Sequence, residues 1–178
     1  MKVPYLDLAY QHSVVRDEAE GLVLEVLRSG AYILGETVGQ FESSFADYIG
    51  SPHAIGVSNG TDGLKLALQA VGVGPGDEVV APLHTFKATV AAILAVQATP
   101  VLVDISPELG YPPIEHLLEA VTQQTKAIVP VHMHGHPYPV DELLDAIHRE
   151  NVQVAVVEDA SQAHGAHLKG RKVGTFGD

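Results

Sequence analysis

The chain contains no cysteine and no tryptophan. Without thiols there are no disulfides, no thiolate metal ligands and no cysteine nucleophile, and redox compartment cannot be read from thiol usage. Positive charge is scarce as well. Ten Lys and Arg stand against 22 Asp and Glu, a formal net charge of −12, which argues against a surface built to neutralise nucleic-acid phosphates or anionic lipid. Long apolar runs are missing. The longest, ATVAAILAVQATPVLV at 88–103, is interrupted by Gln97 and Pro100, short of the roughly 20 apolar residues that span a bilayer. The opening MKVPYLDLAY carries Pro4 and Asp7 where a secretory signal would be apolar. These absences lead us to expect a cytoplasmic protein with neither nucleic-acid nor membrane partners.

What is present suffices for one packed domain: 178 residues, 46% of them hydrophobic. QHSVVRDEAEGLVLEVLRSG and TVGQFESSFADYIG read as amphipathic helices stopped by Gly30 and Gly50. Phe41, Phe45, Tyr48 and Ile49 share a stripe of the second. Five β-branched runs follow (HAIGVS, DEVVAP, TPVLVDI, TKAIVPVH and VQVAVVED), separated by helical stretches. Strands alternating with helices predict an α/β fold, a mainly parallel sheet with helices on both faces. HLKGRKVG reads as a hairpin, and no composition shift marks a domain boundary.

In such a fold, ligands bind beyond the carboxyl ends of the strands. Three loops there carry candidate chemistry. SNGTDGL runs straight into a helix, so Gly60 and Thr61 offer backbone N–H groups and a positive dipole end to an anion; the plainer alternative is that Ser58 or Asn59 is an N-cap. PLHTFKAT places Phe86 just past a strand, where it either stacks on a planar ring or joins the core. VVEDASQAHGA ends an apolar strand in Glu158 and Asp159. A carboxylate such as Asp159 next to a pyridine nitrogen would keep that nitrogen protonated, the condition under which pyridoxal phosphate withdraws electrons. A fourth motif, HMHGH, puts His132, His134 and His136 on one face if the backbone stays extended, but Gly135 and Pro137 break it and no carboxylate completes a set, so no metal is expected.

Six segments in order (ILGETVGQFESSFADYIG, GVSNGTDGLKLAL, GDEVVAPLHTFKATVAAI, VPVHMHGHP, VVEDASQAHGA and GRKVGTFGD) resemble the amino-terminal part of the sugar aminotransferases of the DegT/DnrJ/EryC/StrS type, which are fold-type I pyridoxal-phosphate enzymes. The resemblance implies that residues 1–178 form the amino-terminal part of a cofactor-binding large domain, without the small carboxyl-terminal domain. It implies that Gly60 and Thr61 hold the cofactor phosphate, Phe86 stacks on the ring, Asp159 pairs with the ring nitrogen, and Gln162 lies near the phenolic oxygen, with His164 by the same edge. Glu158 is left a structural hydrogen bond or salt bridge. The implied reaction moves an amino group from glutamate or glutamine to a keto-sugar nucleotide, in a homodimer. The Schiff-base lysine is expected beyond Asp178, since Lys2, Lys65, Lys87, Lys126, Lys169 and Lys172 all lie outside the family's lysine motif. A sugar dehydratase of the same fold and a non-catalytic remnant remain open alternatives.

Overall fold

The computed structural model describes residues 3–178, in two compact units: a first ending at Phe45 and a second, Ala46–Asp178. In the first unit α1 (Leu8–Ser29) starts three residues earlier than the hydrophobic pattern predicts, because the Asp7 side chain accepts a hydrogen bond from the Tyr10 N–H at 2.9 Å and caps the helix. It ends at Gly30, whose φ of 70° is the left-handed cap glycine supplies readily. No residue of α1 is buried. Helix α2 (Glu36–Ile49) begins in this unit and carries the Phe41–Phe45 ring pair, centroids 5.6 Å apart.

The second unit is built on a parallel sheet of β1 (Glu78–Pro82), β2 (Thr99–Val103), β3 (Thr125–Ile128) and β4 (Ala155–Val156), in the order β2-β1-β3-β4. Helices α3 (Gly60–Ala70) and α4 (Lys87–Ala95) cover one face, where Leu64, Leu68 and Ile93 pack on Val79, Ala81, Ala127 and Val129. Helices α5 (Ile114–Glu119) and α6 (Val140–Arg149) cover the other, where Leu117, Val140 and Leu143 pack on Val80, Ile128 and Val156. Neighbouring strand residues fall into opposite clusters because side chains alternate with period two. Val79, Val80 and Ile128 are wholly buried, each stabilising the fold by about 1.5–3 kcal/mol relative to exposure. Among the described residues no helix is long and apolar enough to cross a membrane.

Of two further expectations, one changes and one holds. The run at 53–58 belongs to no strand, and its apolar residues face solvent, with Ile55 81% exposed; local β propensity does not make a strand without a neighbour to pair with. The predicted hairpin is there, as antiparallel β5 (His167–Leu168) and β6 (Arg171–Lys172).

The strand order fixes where a ligand can go. β1 connects through α4 to β2 on one side, whereas adjacent β3 connects through α6 to β4 on the other. Neighbouring strands whose connections leave in opposite directions open a crevice at their carboxyl ends.

Candidate functional site

That crevice is a cavity of about 380 Å³, within the range that holds small molecules. Gly60, Thr61, Phe86, Asp159 and Gln162 all line it; His164 is not among the lining residues.

Asn59 is the N-cap of α3, as one alternative held: its Oδ1 accepts from the Asp62 N–H at 2.9 Å. The cap leaves the first-turn N–H groups of Gly60 and Thr61 without an intrahelical acceptor, at the cavity wall. Capping and anion binding therefore coexist. A Cβ on Gly60 would stand 3.5 Å from Ser161 Oγ, an ordinary contact that would narrow the space between this helix end and the opposite wall.

Phe86 precedes α4 with extended backbone (φ −69°, ψ 141°) and is 56% exposed. It is not a core residue, and its ring is available to a flat ligand.

Asp159 is 6% exposed. Its Oδ2 accepts from Thr89 Oγ1 at 2.8 Å, and its Oδ1 from the Ser161 hydroxyl at 2.7 Å and the Ser161 N–H at 3.2 Å. Its backbone is held to the end of β3: Val131 and Asp159 form a parallel bridge, with Asp159 N–H on Pro130 O at 2.9 Å and His132 N–H on Asp159 O at 3.1 Å. All its donors are neutral, and no described cation pairs with it. A buried carboxylate in that state favours a cationic N–H donor from a ligand.

Gln162 Oε1 accepts from the His134 N–H at 2.9 Å, which turns its amide N–H groups to other acceptors. The three histidines of HMHGH do not share a face. The turn Met133–Gly135 breaks the extended backbone, with His134 at φ 56°; His132 is buried, His134 meets His84 edge-on at 6.3 Å, and His136 stacks on Tyr111 at 5.7 Å. Among the described residues no group of three or more ligands could hold a metal.

Sequence reasoning missed Thr89, Ser161 and the pairing of Glu158 with His132. Glu158 Oε2 lies 3.0 Å from His132 Nε2, with the side chains 3% and 0% exposed. It also accepts from Gly174 N–H at 2.8 Å, while Oε1 accepts from Phe176 and Gly177 N–H at 2.5 and 2.8 Å. Burial raises the Glu158 pKa, but the His132 hydrogen bond and the three backbone donors together outweigh it and hold the carboxyl below its ordinary value. Ser161, two residues after an aspartate in an Asx-turn arrangement, was the one legible signal.

The sequence profile of the DegT/DnrJ/EryC1/StrS aminotransferase family matches residues 14–178. The chain is 43% identical over 175 residues to the dTDP-3-amino-3,4,6-trideoxy-alpha-D-glucose transaminase of Streptomyces venezuelae, covering 97% of this chain and 45% of that protein. Among solved structures, DesV of S. venezuelae superposes with a TM-score of 0.93 at 41% identity, over 98% of this chain and 46% of DesV. The PLP-form of Spr1654 of Streptococcus pneumoniae gives 0.84 at 30% identity, over 88% of this chain and 43% of Spr1654. The chain thus spans about half the length of the relatives it matches.

Proposed function

The chain belongs to the DegT/DnrJ/EryC1/StrS aminotransferase family, and on that premise we propose that its crevice holds pyridoxal 5'-phosphate in an enzyme that transfers an amino group from glutamate or glutamine to a keto-sugar nucleotide. One observation carries the reading. A buried carboxylate with no cationic partner among the described residues, a half-exposed aromatic ring and an open helix N-terminus line the same cavity, matching in type the pyridinium nitrogen, ring face and phosphate of that cofactor.

When bound, pyridoxal phosphate supplies an electron sink whose strength depends on its ring nitrogen remaining protonated. Asp159 holds a proton at that nitrogen, its own orientation fixed by Thr89 and Ser161. Phe86 covers one ring face and excludes water from it. The N–H groups of Gly60 and Thr61 bind the phosphate with the α3 dipole. Gln162, anchored through Oε1, donates its amide N–H to the phenolic oxygen. None of the described lysines lines the cavity, so the nucleophilic lysine of the reaction is assigned to none of the described residues. We place the enzyme in a homodimer, a reading supported by α1, which carries Leu8, Val15, Leu22 and Leu27 exposed.

Pyridoxal phosphate titrated into the purified chain, followed by cofactor absorbance and equilibrium dialysis, tests the site. Phe86→Ala should weaken binding roughly 2- to 13-fold, the equivalent of ~0.5–1.5 kcal/mol of aromatic contact, and Asp159→Asn should weaken it further. No binding by the wild-type chain, or affinities unchanged by both substitutions, overturns the proposal.

A further inference from the structure

Glu158 takes no part in the function proposed above, yet its carboxylate accepts four hydrogen bonds beside the crevice. We propose that Glu158 and His132 form a buried positioning dyad that fixes Asp159 at the cofactor crevice by locking the register of the two segments that carry them, a role that rests on the cofactor reading.

The argument is geometric. β3 and β4 pair over only Ala127↔Ala155 and Ile128↔Val156; beyond them Asp159 is held through the Val131 bridge by two backbone hydrogen bonds. Along an extended segment Glu158 and Asp159 face opposite sides. Glu158 reaches His132, which itself lines the cavity, so a side-chain rung of 3.0 Å flanks the bridge. Each end of the rung is itself anchored. His132 Nδ1 accepts from the Tyr138 N–H at 2.9 Å, which places the ring proton on Nε2, pointing at Glu158. The other Glu158 contacts bind the turn 174–177, which passes so close to β4 that a Cβ on Gly177 would stand 2.4 Å from Val156 O; only glycine fits there. A one-residue slip at this ladder would turn Asp159 to the opposite face, and the dyad opposes that slip.

The experiment compares wild type, Glu158→Gln, His132→Gln and His132→Asn for pyridoxal-phosphate affinity, melting temperature and the ring 15N shifts of His132. The amide of glutamine reaches the Nε2 position and keeps a donor toward Glu158; that of asparagine mimics Nδ1 and keeps only the acceptor for Tyr138. We expect Glu158→Gln and His132→Asn to lose affinity about 10- to 100-fold, the scale on which groups orienting a functional ligand act, with His132→Gln within about 3-fold of wild type, and the His132 shifts to show an Nε2-protonated neutral ring. A purely structural role would instead make affinity track melting temperature across all three variants. That pattern, wild-type affinity in Glu158→Gln, or a proton on Nδ1, overturns the dyad alone. A wild-type chain that binds no pyridoxal phosphate overturns the cofactor reading and the dyad with it.

Discussion

Thr89→Val removes one hydroxyl from a wholly enclosed position while keeping the side-chain volume close. Thr89 is 1% exposed, and its single hydroxyl proton goes to Asp159 Oδ2 at 2.8 Å. The 2.8 Å contact between Thr85 and Thr89 hydroxyls must therefore run from Thr85 to Thr89. The substitution deletes a hydrogen bond to a charged acceptor, worth about 1.5–3 kcal/mol, together with the neutral bond from Thr85, and leaves Asp159 only its Ser161 donors. Thr85→Val deletes only the neutral bond, worth about 0.5–1.5 kcal/mol. With a urea dependence of roughly 2 kcal/mol per M, the unfolding midpoint of the second unit, followed by far-UV circular dichroism, should fall by about 1–2 M for Thr89→Val and by about 0.25–0.75 M for Thr85→Val. In an Asp159→Asn background the Thr89→Val loss should shrink by about 1 kcal/mol, because the acceptor no longer carries charge. Equal losses for the two threonine variants, or an undiminished Thr89→Val loss in the Asp159→Asn background, would refute the account of how Asp159 is held.

Ile93→Ala, at a wholly buried position beneath the sheet, should cost about 2–5 kcal/mol of unfolding free energy in the same urea assay. Glu158 should add an acid-sensitive component to stability. Its pKa is held below the ordinary 4.5, so its contribution is complete above that value and is lost as pH falls through and below it; urea midpoints measured from pH 6 to pH 3 should drop below 4.5 and drop less in Glu158→Gln. Borohydride reduction of the chain with bound pyridoxal phosphate should leave no lysine stoichiometrically labelled by peptide mass, since none of those described lines the cavity; full labelling of Lys87 would contradict this.

The sheet was legible because its signal is local. Glu78–Pro82 and Thr99–Val103 stand out as β-branched runs, and their alternation with helices implied parallel pairing. The same signal misled at 53–58, where residues with strand propensity find no ladder among the described residues. Gly60, Thr61, Phe86 and Asp159 could be read as one constellation because each sits in the loop after a strand or at a helix start, places where topology gathers residues, whereas Gln162 came from the family resemblance alone. The support behind them could not be read. Thr89 lies 70 residues from Asp159, and His132 26 residues from Glu158; pairs so distant leave no periodicity in the chain. Helix α1 began early for a reason that was in plain sight, an aspartate three residues ahead of a free amide.

The strand order has a kinetic consequence. β1 lies between β2 and β3, so Glu78 pairs with Thr99 on one side and with Thr125 on the other, and each pairing closes a loop that includes a crossover helix. Loop closure of this kind is paid in chain entropy before the contacts repay it, which makes parallel sheets slow to assemble. β4 joins only through β3, and the segment after it delivers Asp159. Asp159 is therefore in place only once β3 and β4 have paired, and ligand capture that needs the carboxylate should, in a refolding experiment, follow that pairing.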